Sequence, residues 1–221
     1  MKVLWLTNVP LSKVRANISS SKIQMGGWID GISSQLLKRK DIELLSIFPF
    51  GVKECCSGII DNIQYLAYPN NYKLNNEIEL FRKTVRDFNP DIIHIFGTEF
   101  RQSYAMMEAS EDLDLVKKCV ISIQGLCSFY SDVYYAGLPN KVINFWTLRD
   151  FLRHDNIRVQ RSKYAKRGKY EIAALKLAKN VIGRTDWDKA CAFQINPNIN
   201  YYFCNETLRD SFYEDKCREA F

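Results

Sequence analysis

The feature that most limits the architecture is a set of short, continuous apolar runs alternating with stretches of helical periodicity. KVLWLT (2–7), IELLSIF (42–48), IQYLAY (63–68), DIIHIF (91–96), CVISIQG (119–125), NVIGRT (180–185) and NYYFC (200–204) read as strands. Several are apolar at successive positions, so both faces are to be buried, as in a parallel sheet. Pro49 and Pro69 are expected to end the second and third strands. Helical spacing follows Gly26-Gly27, where Trp28, Ile29, Ile32, Leu36 and Leu37 recur, and fills 75–88, 102–111, 139–152, 156–179, 185–195 and 206–213. Residues 8–24, rich in Ser and Asn, read as a polar loop. The alternation predicts one α/β domain over 1–221, a Rossmann-like, doubly wound and mostly parallel sheet.

Composition excludes several alternatives. A chain of 221 residues that is 47% hydrophobic and 25% charged is neither disordered nor fibrous. No apolar run approaches the ~20 residues that span a bilayer, and MKVLWLTNV is too short for a secretory leader. A cytoplasmic location is expected. Seven cysteines without a CxxC pair read as reduced thiols used as small apolar residues. The pairs Asp112/Asp114 and Asp186/Asp188 do not make a metal site: the first is expected at the wrong end of the sheet, the second in a helix cap.

Charge is concentrated. Residues 149–184 hold eleven Lys/Arg against three acids, while the whole chain carries only +6. Arg149, Arg153, Arg158, Arg161, Lys163, Lys166 and Arg167 are therefore candidates for contact with an anionic membrane or another anion. A solvated helix face is the plain alternative.

Ligands of doubly wound sheets lie beyond the carboxyl ends of the strands. That rule selects four loops. Gly26 and Gly27 open a helix whose N-terminal N–H groups can meet an anion, although neither a GxGxxG nor a P-loop pattern is present. Gly97, Thr98 and Glu99 follow DIIHIF, with Arg101 close behind; Gln124 and Gly125 end the next strand, before the aromatics Phe129, Tyr130, Tyr134 and Tyr135. Arg184 ends NVIGRT as a guanidinium fork, whereas Thr185 and Asp188 form a capping box. His94 falls inside a strand and reads as a core histidine.

VLWLTNVP, the Gly26-Gly27 helix start, PDIIHIFGTEF (90–100), VISIQGL (120–126) and the stretch 180–213 together resemble the N-terminal half of GT-B glycosyltransferases. The likeness is to retaining family 4, the "glycosyl transferase group 1" proteins of bacterial surface-polysaccharide synthesis. It implies an acceptor-binding domain of a hexosyltransferase that moves a sugar from a nucleoside-diphosphate donor to a glycan or lipid-linked acceptor. Gly26, Gly27, Gly97, Thr98, Glu99, Gln124, Gly125 and Arg184 would then face acceptor or phosphate. No cofactor and no metal are implied, and no catalytic residue is assigned. Where the family often carries a histidine, this chain has Gln124. Glu206 and Glu214 share the spacing of the donor-site E-x7-E motif but lie too early for it. A C-terminal donor-binding domain would have to complete the cleft, so the 221 residues alone are expected to be inactive, with peripheral attachment to the inner face of the cell membrane through the basic segment. The other reading is a Rossmann-like binding module whose segment 149–184 binds nucleic acid or anionic membrane. Its cations are not interleaved with aromatics and no nucleic-acid motif occurs, which disfavours nucleic acid.

Overall fold

In the computed structural model, residues 1–19 and 27–207 are described. Along the chain they form β1 (Lys2–Leu6), α1 (Ser12–Ile18), α2 (Gly27–Leu36), β2 (Glu43–Phe50), β3 (Cys56–Ile60), β4 (Ile63–Pro69), α3 (Leu74–Phe88), β5 (Ile92–Phe96) and α4 (Arg101–Glu111). There follow β6 (Cys119–Ser122), α5 (Cys127–Val133), α6 (Asn140–Ile143), α7 (Leu148–Arg153), α8 (Ile157–Leu177), β7 (Asn180–Gly183), α9 (Asp186–Ile195) and β8 (Asn200–Phe203). The strands make one sheet in the order β3-β4-β2-β1-β5-β6-β7-β8. Every neighbouring pair is parallel except β3 and β4. The doubly wound sheet expected from the apolar runs is therefore present, and its direction of growth reverses between β1 and β5.

The strand residues divide between two cores because successive side chains point to opposite faces. Leu4, Leu6, Ile93, Ile95 and Ile121 lie in one cluster, packed under α3, α4, α8 and α9. Val3, Trp5, Leu44, Phe48 and Phe96 lie in the other, covered by Val14 of α1 and Ile29 of α2. Asn89 closes α3 in the left-handed conformation at φ 49°, directly before Pro90.

Five local expectations are corrected. Strand β3 is an antiparallel edge strand that the alternation did not reveal; it returns through Asp61 and Asn62, both at positive φ as a tight hairpin turn requires. Pro49 does not end β2. Pairing with β1 stops at Ile47, so beyond it β2 has a partner on one side only and tolerates a missing N–H. The loop 8–24 contains α1, whose Ser12 N–H is accepted by Asp30 of α2 at 2.9 Å. The stretch 139–152 is two short helices, because a capping box of Thr147 and Asp150 starts a new helix there. Helix α5 occupies part of the expected loop 124–138. Gly26, Glu214 and the helix expected over 206–213 fall wholly or largely outside the described residues.

Candidate functional site

At the reversal point the loops after β1 and β5 are tied together. Asn8 Oδ1 accepts a hydrogen bond from Gln102 Nε2 of α4 at 2.8 Å. Gly97 leaves β5 at φ +89°, a conformation in which a Cβ would also meet the Glu99 carboxylate at 2.3 Å. Thr98 is fully buried. Its hydroxyl lies 2.8 Å from the Gly125 carbonyl and 3.1 Å from Glu171 Oε2, sharing its one proton between the two acceptors and joining the ends of β5 and β6 to α8. Thr98 thus holds the mouth of the sheet together from beneath.

Glu171 explains why α8 and α5 sit here. It is the single acid of α8, falls on that helix's buried stripe with Gly168, Ala174 and Leu175, and has no solvent exposure. Its carboxylate accepts the backbone N–H of Cys127 at 2.8 Å and of Ser128 at 3.0 Å, together with the Ser128 hydroxyl. A carboxylate is favourable at this helix start because the first N–H groups lack intrahelical partners. Gly168 makes the approach possible, since a Cβ there would stand 2.6 Å from Ser128 Cα. The neighbouring carboxylate and the apolar surroundings push the Cys127 thiol up to about 12.

Glu99 lies between Gly97 and Gly125, and its Oε2 is buried without a hydrogen-bond partner among the described residues. Burial holds its carboxyl above the usual carboxylate range, with Glu171 adding to the effect. Backbone N–H groups of Thr98 and Glu99 and the charge of Arg167 act in the opposite direction.

Next in sequence to Glu99, Phe100 and Gln102 help wall a cleft of about 380 Å³, together with Asn8, Lys166, Arg167 and Tyr170 among others. Arg167 lies over the Phe100 ring at 4.9 Å. Neither Lys166 nor Arg167 has a salt-bridge partner among the described residues. Arg101, also on the wall, is already used: it forms a two-pronged pair with the buried Glu77 at 2.8 and 2.9 Å and donates to the Tyr72 carbonyl. The cleft therefore offers two cations without a salt bridge among the described residues, Arg167 also lying against Phe100, beside amide and aromatic groups, the equipment to hold an anion and hydroxyls.

A second hollow, about 70 Å³, lies over the ends of β5, β6 and β7, lined by Trp28, His94, Ser122, Gln124 and Arg184 among others. Arg184 is 3.0 Å from Glu206 and donates to the Gln124 carbonyl at 3.3 Å, so its fork is already engaged. His94 is half-buried, stacks on Phe96 at 3.8 Å and shares a 2.7 Å hydrogen bond with Ser122. Desolvation lowers it to about 3, which makes it a neutral core histidine. The Thr185–Asp188 capping box is present. Tyr130 stacks on Trp187, and Tyr134 packs on Tyr164.

The structure thus brings Gly97, Thr98, Glu99 and Gly125 together, and it sets Gln124 and Arg184 in the neighbouring hollow. Gly27 begins α2, whose Trp28 lines that hollow too. The basic segment is divided. Lys166 and Arg167 face the large cleft, Arg161 donates to the Ser131 carbonyl, Lys163 contacts the His154 carbonyl, and Arg149, Arg153 and Arg158 lie elsewhere. Sequence reasoning missed Glu171 and Glu77; the available signal for Glu171 was its place as the lone acid on the apolar stripe of a basic helix. Among the described residues no group of three or more His, Cys, Asp or Glu could hold a metal ion.

No family model matches the chain, and no curated protein matches it. Among solved structures it is similar to UGT73P12 of Glycyrrhiza uralensis, crystallised in complex with glycyrrhetinic acid 3-O-monoglucuronide. The identity is 11% and the TM-score 0.43, over 92% of this chain and 48% of that one. The chain thus spans about half the length of that protein.

Proposed function

We propose that the chain is the acceptor-binding half of a retaining glycosyltransferase, which moves a sugar from a nucleoside-diphosphate donor to a glycan or lipid-linked acceptor. The observation that carries this reading is the cleft at the strand-order reversal, which Lys166 and Arg167, without a salt bridge among the described residues, line together with the hydrogen-bonded Asn8–Gln102 pair. Motifs at 90–100, 120–126 and 180–213 that resemble such enzymes support it. On this reading Lys166 and Arg167 hold the phosphate of a phosphorylated acceptor, and Asn8, Gln102 and Tyr170 meet hydroxyls. Glu99, kept poorly solvated, receives a hydrogen bond from an acceptor hydroxyl. Transfer breaks the bond between the donor's anomeric carbon and its diphosphate and forms one to an acceptor oxygen, whose proton passes to the departing diphosphate. A separate donor-binding domain holds the nucleotide sugar, and the 221 residues alone show no turnover.

The test is equilibrium binding of farnesyl diphosphate carrying one N-acetylglucosamine, measured by calorimetry on the intact chain. Binding should weaken tenfold or more in a Lys166→Ala, Arg167→Ala double variant, as loss of charge-assisted hydrogen bonds to phosphate requires. Equal affinity in wild type and variant, or no binding at all, would overturn the reading.

A further inference from the structure

Helices α6 and α7 invert the usual distribution of apolar side chains. Neither has a buried residue, and neither contributes to the two cores or to the side chains packed against them. Yet seven of the fifteen large apolar side chains exposed among the described residues fall between 138 and 152. Phe145 is 64% exposed, Leu148 77%, Phe151 64% and Leu152 70%, with Val142 and Trp146 beside them in sequence. Leu148, Phe151 and Leu152 are spaced i, i+3 and i+4, so they share one face of α7. Clustered exposure of this kind marks a surface that meets something else.

Other features fix what it meets. Lys141 and Arg153 have no salt-bridge partner among the described residues, and Arg149 and Arg158 add two further cations. Only Asp150 and Asp155 oppose them, and both are occupied, Asp150 as the cap of α7 and Asp155 by Arg149. Four cations, Lys141, Arg149, Arg153 and Arg158, against two acids leave the stretch 138–158 net positive, so a two-fold contact of its apolar side chains with a second copy would set like charge against like. The stretch matches a surface that is anionic outside and apolar beneath. Trp146 and Phe145 are the residue types that settle at the headgroup level of a bilayer. The Thr147–Asp150 capping box holds α7 in shape without core contacts, so little ordering remains to be done on contact. No helix among the described residues is long and apolar enough to cross a membrane, so the mode of attachment is lying on it.

We infer that α6 and α7 form a docking surface for an anionic lipid bilayer, with Phe145, Trp146, Leu148, Phe151 and Leu152 entering the headgroup region and Lys141 and Arg153 meeting lipid phosphates. The acceptor reading can fail without touching this inference, since Lys166 and Arg167 take no part in it.

The experiment is sedimentation of the intact chain with vesicles of phosphatidylcholine containing phosphatidylglycerol, and with phosphatidylcholine alone. Strong retention on the anionic vesicles only is expected. A Leu148→Ser, Phe151→Ser variant should partition at least tenfold less well while keeping the wild-type melting temperature, and a Lys141→Glu, Arg153→Glu variant should lose the preference for anionic lipid. The fluorescence blue shift on binding should disappear in Trp146→Phe, with sedimentation retained. Unchanged sedimentation of the serine variant, no retention of the wild-type chain on anionic vesicles, or a concentration-dependent dimer that the serine variant abolishes would each overturn the inference. So would equal competition of the vesicle contact by duplex DNA and by soluble headgroup at matched charge, which would mark the contact as unspecific charge attraction.

Discussion

The mouth of the sheet and the α6–α7 excursion break the ordinary rules of burial in opposite directions. At the mouth, polar groups are placed inside: Thr98 and Glu171 have no exposure, and Glu99 keeps one oxygen buried and unpartnered. On the excursion, apolar groups are placed outside. Burying a carboxylate is costly unless donors surround it, and Glu171 has them from two backbone N–H groups and two hydroxyls. Exposing a Phe or Leu costs far less, because folding of the rest does not depend on it. On the proposed reading the mouth couples structure to ligand, whereas the excursion serves contact alone.

The largest effect that separates the two regions is expected from Glu171→Ala. It strands the N–H groups of Cys127 and Ser128, while the Thr98 hydroxyl keeps the Gly125 carbonyl, and should cost about 3 kcal/mol or more in urea unfolding. Glu171→Gln retains an acceptor and should cost about half as much. A loss from Glu171→Ala no larger than that of the exposed Leu148→Ser, Phe151→Ser variant would erase the distinction.

A second expected effect is acid sensitivity traced to the sheet. His94 titrates at about 3 when folded and near its ordinary 6.5 when unfolded. The unfolded chain therefore binds the extra proton between those values, and stability falls as pH drops through that window. Between pH 7.5 and pH 5 the His94 share of the loss should be about 2 kcal/mol. Urea midpoints at the two pH values check it, by comparing wild type with His94→Gln, which should show a shallower pH slope. The serine variant of the excursion should keep the wild-type slope.

Much of this was legible in the residues, for identifiable reasons. Strands β1, β4, β5 and β7 announce themselves because a strand buried on both faces is apolar at consecutive positions. The loops after β5 and β6 could be selected before any coordinates, because a parallel sheet has only one end at which to bind. The bidentate partner of Arg101 and the donors around Glu171 could not be selected, since Glu171 meets Thr98 from 73 residues away and local pattern carries no record of that approach. The eleven cations of 149–184 gave the charge of the segment but not its division, because Lys166 and Arg167 reach the cleft only through the packing of α8 against α4 and α5. The apolar residues of 139–152 read only as part of a helix in the sequence; their exposure, as at Leu148 and Phe151, shows only in the structure of the described residues.

Hydrogen exchange of the intact chain with and without farnesyl diphosphate carrying one N-acetylglucosamine tests the central claim most directly. The account predicts added protection at Gly97–Gln102 and at 164–171, with 140–153 unchanged. Protection confined to 140–153, or none at Gly97–Gln102 under saturating ligand, would contradict it.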